Sequence, residues 1–264
     1  MNKDMDLHKI NSLTKYPSIL TYHQLGEKGR LNEALTEPAE FGAAEHLYVY
    51  EKVDGENSRI ILLSQPSGEI DYLIGSREEL LYAKGDRIGN PYGNIAEFLR
   101  PVAERIIGEL TQSDSREWAL TVLYQESYGG KTKASRHYSD NKTQNYRVFD
   151  VFSLDREQLD AMLALPQDQI ASWRDRGKQP FYDESAKKTL LDTLNLQAAP
   201  LLDQIDRGEF PVSFADTFAY MQRFEQTQVG MEVAGRAEGL IVRTVDRSWI
   251  RKIRFEDYER TFRK

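Results

Sequence analysis

The sequence predicts an α+β fold, a largely antiparallel sheet platform interrupted by a helical insertion. Three observations lead to it. An aromatic, β-branched stretch from Tyr48 runs through Lys52-Val53-Asp54-Gly55 into a second strand-type run, Ile60-Ile61-Leu62-Leu63, the pattern of strand, tight turn and strand. Further strand-type runs recur on both sides of residues 155–228, a charged, helical stretch broken by Pro166, Pro180, Pro200 and Pro211. No internal repeat, low-complexity tract or linker divides the 264 residues, so one domain is expected.

In chain order, residues 1–47 mix short helical and loop signals, among them Lys15-Tyr16-Pro17-Ser18 and Glu37-Pro38, and read as an N-terminal brace. Residues 48–90 are strands: the opening pair, then the run from Ile70 to Arg77. Residues 91–112 switch to helical spacing, with Ile95, Phe98, Leu99, Val102, Ile106 and Ile107 on one side. Strand character returns from Trp118 to Glu126 and, after a polar loop, from Tyr146 to Phe152. Two last strands run from Gly239 to Thr244 and from Trp249 to Arg254. In the last, Lys252 and Arg254 share a face, but Ile250 and Ile253 fall on opposite faces, which leaves the register ambiguous.

Hydrophobic residues at 40 % and charged residues at 29 % describe an ordinary globular chain. No apolar run reaches the ~18 residues of a membrane span, and the first residues lack the apolar stretch of a secretory signal. There is no cysteine, which excludes disulfides and thiolate metal sites and suits the cytoplasm. The four histidines are scattered without zinc spacing, so any metal is expected to be a hard cation held by carboxylates and phosphates. A net charge of −7 argues against broad nucleic-acid binding. Basic residues nonetheless gather in the loop from Lys131 to Arg147 and in the tail from Arg251 to Lys264.

Lys52 and Asp54 have the same parity and project to one face if the extended conformation persists, while Gly55 lets the backbone turn or approach a ligand. A lysine so placed is either a surface residue of a hairpin or a nucleophile, the latter requiring burial or neighbouring cations to free its amine. Acids recur at strand ends: Glu126 before Tyr128-Gly129-Gly130, and Glu238 before Gly239.

Taken in order, six segments carry a resemblance: Lys52-Val53-Asp54-Gly55, Gly75-Ser76-Arg77, Gln125-Glu126-Ser127-Tyr128-Gly129, Val148-Phe149-Asp150-Val151, Glu238-Gly239-Leu240-Ile241-Val242-Arg243 and Lys252-Ile253-Arg254. They resemble motifs I, Ia, III, IIIa, IV and V of the covalent nucleotidyltransferases, the superfamily of ATP-dependent ligases and capping enzymes. Within it the chain most resembles ATP-dependent RNA ligases of the RNA ligase 2 type. The resemblance implies a nucleotidyltransferase (ATP-grasp-like ligase) domain whose antiparallel sheets flank an ATP cleft; the larger relatives' separate C-terminal domain is not expected in this chain. It further implies an enzyme that seals RNA 5′-phosphate and 3′-hydroxyl ends through lysyl-AMP and AMP-capped RNA, using ATP and Mg2+ or Mn2+.

By that resemblance Lys52 is the nucleophile, and Lys252 and Arg254 crowd it with like charge and grip the α-phosphate. Glu238 holds a divalent metal; Asp54 orients the lysine or the ribose; Glu126 takes the ribose hydroxyls or a second metal. Phe149 stacks on adenine, Glu51 accepts a hydrogen bond from its amino group, Arg77 reaches the ribose or an RNA phosphate, and Asn57 the 5′-phosphate. In one departure, Arg254 stands where the last motif commonly carries a second lysine; if charge is its whole role, lysine would replace it. In another, the chain stops ten residues after Arg254, where larger relatives continue into a domain that grips nucleic acid. The RNA grip is then expected in the loop from Lys131 to Arg147, with Tyr138 and Tyr146 stacking on bases, or from a partner protein. The competing readings are a DNA ligase or capping-type enzyme, which usually carries arginine at Asn57, and a nucleic-acid-binding module that has lost catalysis. Intact Lys52, Glu126, Glu238 and Lys252 argue against the last.

Overall fold

The computed structural model describes residues 5–37, 44–89, 94–111 and 117–263. Pro38, the start of the 91–112 segment, Gln112 and Lys264 lie outside them. Elements are numbered in chain order. The first are α1 (Leu7–Thr14), β1 (His23–Leu25), β2 (Leu31–Leu35) and β3 (His46–Lys52). The middle of the chain holds β4 (Glu56–Ser64), β5 (Ile70–Ser76), β6 (Leu80–Ala83), β7 (Asp86–Arg87), α2 (Ile95–Leu110), β8 (Leu120–Gly129) and β9 (Gln144–Leu154). Then come α3 (Arg156–Ala164), α4 (Gln167–Asp175), α5 (Glu184–Thr193) and β10 (Leu201–Asp206). Last are α6 (Phe214–Gln222), β11 (Gly239–Arg243), β12 (Ile250–Arg254) and α7 (Phe255–Phe262). The mixture of helices and antiparallel sheets is the α+β architecture expected, and among the described residues no helix is long and apolar enough to cross a membrane.

The chain forms two compact units, each assembled from separated segments. The first comprises residues 1–18, 56–127 and 144–198; the second, residues 19–55, 128–143 and 199–264. Of the N-terminal brace, α1 belongs to the first unit and β1 and β2 to the second. The 155–228 stretch is likewise not purely helical. Its β10 pairs antiparallel with β3, because backbone pairing to an available edge outweighs a weak helical pattern of sequence.

In the first unit a six-stranded sheet runs in the order β7-β6-β5-β4-β8-β9. Ile60 and Leu62 pack toward Ile95, Leu99, Ala103 and Ile106 of α2. Ile61 and Leu63 pack in the cluster of Ile10 and Leu13 of α1, Leu159 and Met162 of α3 and Ile170 of α4. Both faces of β4 are covered, which is why its sequence is an unbroken apolar run rather than an alternation. The helix α3 starts at a reciprocal cap, with Asp155 accepting from the Gln158 N–H and the Gln158 side chain accepting from the Asp155 N–H.

In the second unit a four-stranded sheet is ordered β10-β3-β11-β12. Leu47 and Val49 of β3, Leu240 and Val242 of β11 and Ile253 of β12 pack in one core with Phe214 and Met221 of α6 and Phe255 and Tyr258 of α7. This fixes the register that Ile250 and Ile253 left open. Ile253 faces the core, Ile250 shares the opposite face with Lys252 and Arg254, and Arg251 is the buried residue. Its guanidinium reaches the Thr36 carbonyl at 3.3 Å and lies 5.1 Å from the Trp249 ring; the apolar stem is buried while the charge is satisfied.

Candidate active site

The face of the second unit's sheet opposite its core carries the charged residues. Lys52 at the end of β3 pairs with Gly239 at the start of β11, and Gly239 pairs in turn with Arg254 at the end of β12. One row thus reads Lys52, Gly239, Arg254, and the next but one on this face reads Tyr50, Ile241, Lys252. With strands ~4.8 Å apart, Lys52 and Arg254 start about 10 Å from one another. Between them stands the one residue type without a side chain. A Cβ on Gly239 would meet the Ile253 carbonyl oxygen at 2.0 Å and the Arg254 Cα at 2.8 Å, so glycine is what allows β12 to lie this close.

Glu238 precedes that row. Its N–H donates to the Lys52 carbonyl at 3.2 Å and its own carbonyl accepts from the Phe255 N–H at 3.1 Å, so its backbone is held at both ends. Its carboxylate accepts a short hydrogen bond from Lys52 Nζ. The charge paired directly with Lys52 is therefore a carboxylate. Arg254 is gripped by Asp257, its Nε and Nη2 each donating at 2.8 Å to one carboxylate oxygen. Burial works against the Arg254 charge, but the Asp257 hydrogen bonds and charge, then Glu238 and Glu256, hold its pKa above the ordinary value.

Glu51 is placed differently from expectation. It pairs with Leu240, on the sheet face opposite Lys52, and is 2 % exposed. Its carboxylate accepts from the Thr227 hydroxyl and, at 2.8 Å, from the Gln228 N–H. The side chain braces the segment before β11 and is committed there, not offered to a base. Asp54 lies beyond the end of β3, so the shared parity with Lys52 does not extend to it through the strand. Its N–H donates to the Tyr138 hydroxyl at 2.7 Å.

Tyr138 is a second correction. It is 0 % exposed, packed edge-on to Tyr128 with ring centroids 4.9 Å apart, and burial raises the pKa of its phenol. It anchors its loop to the turn after Lys52 and, being buried, is not exposed for stacking on RNA. Tyr146 belongs to the first unit, where it is half-buried and meets Phe98 edge-on. Lys131, Lys133, Arg136 and Lys142 of the same loop are exposed.

The other predicted residues belong to the first unit and share one face of its sheet. Asn57 pairs directly with Glu126, and Arg77 follows Ser76, the partner of Ser58, by one residue. The ends of three adjacent strands therefore present Arg77, Asn57 and Glu126 side by side. Phe149 lies near Tyr124 at 6.4 Å with 21° between ring planes and is met edge-on by Tyr16 at 5.0 Å. Beneath them is a residue that motif reading overlooked. Arg59, 0 % exposed, donates to the Ser76 and Arg77 carbonyls at 2.7 and 3.1 Å and bonds Asn11. Burial pushes its guanidinium down to about 10. A charge next to the apolar run of β4 was the only signal for it; Asp257, among the charged residues of α7, had none.

Among the described residues no group of three or more histidine, aspartate and glutamate side chains could hold a metal. Magnesium ordinarily takes one or two carboxylates with waters and substrate phosphates. A partly exposed Glu238 on a cationic face fits a metal held that way and does not fit an all-protein cage.

A sequence model of the RNA ligase family matches residues 45–260. No curated protein matches the chain in sequence. Among solved structures, the Naegleria gruberi RNA ligase with PPi is 13 % identical with a TM-score of 0.57, over 95 % of this chain and 58 % of that one. A mutant of the same enzyme with ATP and Mn is 14 % identical with a TM-score of 0.53, over 94 % and 62 %; another, with AMP and Mn, gives 14 % and 0.52, over 92 % and 62 %. At such identities the likeness is one of fold, the RNA ligase nucleotidyltransferase fold. The chain spans about three-fifths of the length of these structures.

Proposed function

The chain belongs to the RNA ligase family, and on that premise we propose that it is an ATP-dependent ligase joining RNA 5′-phosphate and 3′-hydroxyl ends through a lysyl-AMP intermediate. The observation that carries this reading is the row on the second unit's sheet: a lysine at a strand end, paired with Glu238, facing Arg254 across a side-chain-free position. The proposed first step is an in-line displacement. The neutral Lys52 amine attacks the α-phosphorus of ATP, the P–N bond forms, and the P–O bond to pyrophosphate breaks with its electron pair leaving on pyrophosphate. The nitrogen, now carrying a positive charge, loses one proton to water and a phosphoramidate results. An RNA 5′-phosphate then displaces the lysine, and a 3′-hydroxyl displaces AMP.

Every step spreads charge over phosphate oxygens, so the protein's work is positioning and charge compensation. Lys252 and Arg254 supply cationic charge on the face that Lys52 shares. Glu238 would hold Mg2+ or Mn2+, which neutralises phosphate charge when bound. The same reading gives Asp54 the lysine or ribose, Glu126 the ribose hydroxyls or a second metal, Phe149 the adenine, Arg77 the ribose or an RNA phosphate, and Asn57 the 5′-phosphate. Glu51 drops out as a base contact and serves as a brace. The cysteine-free composition is in keeping with a cytoplasmic setting.

The test is strand sealing. With ATP and either metal, RNA carrying a 5′-phosphate and a 3′-hydroxyl should be joined. Joining of DNA alone, or labelling by GTP in place of ATP, would favour the DNA ligase or capping-type reading. In the same assay, reversing Lys131, Lys133 and Arg136 to glutamate should spare transfer of AMP to Lys52 while weakening RNA binding. The log–log salt slope of binding should shrink by roughly one unit per lost phosphate contact. An unchanged slope would place the RNA grip elsewhere, on the tail or on a partner protein.

A further inference from the structure

Arg254 and Asp257 form a device that explains why arginine stands in the last strand. The carboxylate of Asp257 is 1 % exposed, set in the first turn of α7, where a negative charge is favoured by the helix N-terminus. It accepts from Nε and Nη2 of Arg254, both at 2.8 Å. That pairing uses the side edge of the guanidinium. The far edge, formed by Nη1 and the second Nη2 hydrogen, is left turned away from Asp257 and retains a two-pronged donor geometry matched to phosphate oxygens.

A lysine here would have the charge without the planar fork. It has no rigid second edge, and three rotatable hydrogens on a flexible stem, so bonding to Asp257 would not aim it. We infer that Asp257 is a positioning residue which locks one edge of the Arg254 guanidinium so that the other grips a phosphate group during AMP transfer to Lys52. Arg260, whose Nη1 lies 3.8 Å from Asp257, keeps that carboxylate partly compensated when Arg254 is changed. The inference rests on the reading of Arg254 proposed above and goes past it in two ways: it assigns a role to Asp257, and it reverses the expectation that lysine can replace arginine at 254.

The experiment measures the rate of protein–AMP formation from labelled ATP and a divalent metal in Asp257→Asn, Arg254→Lys, Arg254→Met and the double variant Asp257→Asn with Arg254→Met. Melting temperatures check that each folds. Asp257→Asn and Arg254→Lys should each slow the reaction by about tenfold or more, the worth of a hydrogen bond between charged groups. The fall should be larger in the rate at saturating ATP than in the ATP concentration for half-maximal rate. In the Arg254→Met background, Asp257→Asn should add less than about twofold, since a residue acting through another has nothing left to act on. A wild-type rate in Asp257→Asn overturns the inference, and so does its full effect persisting without Arg254, which is the mark of a merely structural role. Arg254→Lys at full rate overturns it without any change at buried Asp257. If Arg254→Met is itself unimpaired, the reading of Arg254 beneath the inference fails as well.

Discussion

Replacing Glu238 by alanine is expected to slow AMP transfer to Lys52 by at least about a hundredfold, the kinetic worth of several kcal/mol of charge stabilisation at a phosphoryl centre. Stability should barely change. The side chains of Lys52 and Glu238 are each 23 % exposed, and a partly exposed pair contributes at most about 1 kcal/mol. The Glu238 backbone stays anchored through the Lys52 carbonyl and the Phe255 N–H, neither of which needs the side chain. The variant should therefore melt within ~3 °C of the parent while losing activity. Glu238→Gln, which keeps the shape and removes the charge, should fail similarly. A rate within about threefold of the parent in Glu238→Ala would remove this carboxylate from the chemistry.

Gly239→Ala should harm both fold and activity. The added methyl would meet backbone atoms of β12, at 2.0 Å from the Ile253 oxygen and 2.8 Å from the Arg254 Cα, and a backbone cannot swing away as a side chain can. The strands must part, at a cost of about 1–3 kcal/mol for an overpacked site, which lowers the melting temperature by roughly 3–10 °C in a chain of this size. Because the displaced strand carries Lys252 and Arg254, AMP transfer should fall with it. Gly208 in the same unit supplies the control: nothing lies within 4 Å of a Cβ there, so Gly208→Ala should leave both properties close to the parent. A Gly239→Ala protein as stable and as fast as Gly208→Ala would show that the β11–β12 spacing is not required.

The strands bearing the chemistry were readable because their signals are local. Aromatic and β-branched runs on either side of a glycine turn placed β3 and β4, and parity alone put Lys252 and Arg254 on one face. Parity does not say which face the rest of the chain will cover. Glu51, next to the proposed nucleophile, turned out to be buried, and only the pairing of β3 with β11 reveals that it shares a face with Leu240 and not with Lys52. Tyr138 sits in a segment rich in lysine, serine and glycine that reads as solvated loop. Its burial comes from packing with Tyr128 and with Val53 and Val229, the last two far from it in sequence. Arg59, Arg251 and Asp257 were hidden for a related reason: a charge looks exposed until the acceptors or donors that satisfy it are brought near by folding. The strand β10 was lost because its pairing edge on β3 lies some 150 residues upstream, where no local propensity can report it.

The central claim is that Lys52 becomes covalently bonded to AMP. The direct measurement is incubation of the protein with labelled ATP and Mg2+ or Mn2+, denaturing electrophoresis to detect the adduct, and peptide mass spectrometry to locate it. One acid-labile, alkali-stable adduct is expected on Lys52, absent from Lys52→Ala and from Lys52→Arg, whose guanidinium stays protonated and cannot attack. An adduct that persists in Lys52→Ala, or maps to another residue, would contradict it.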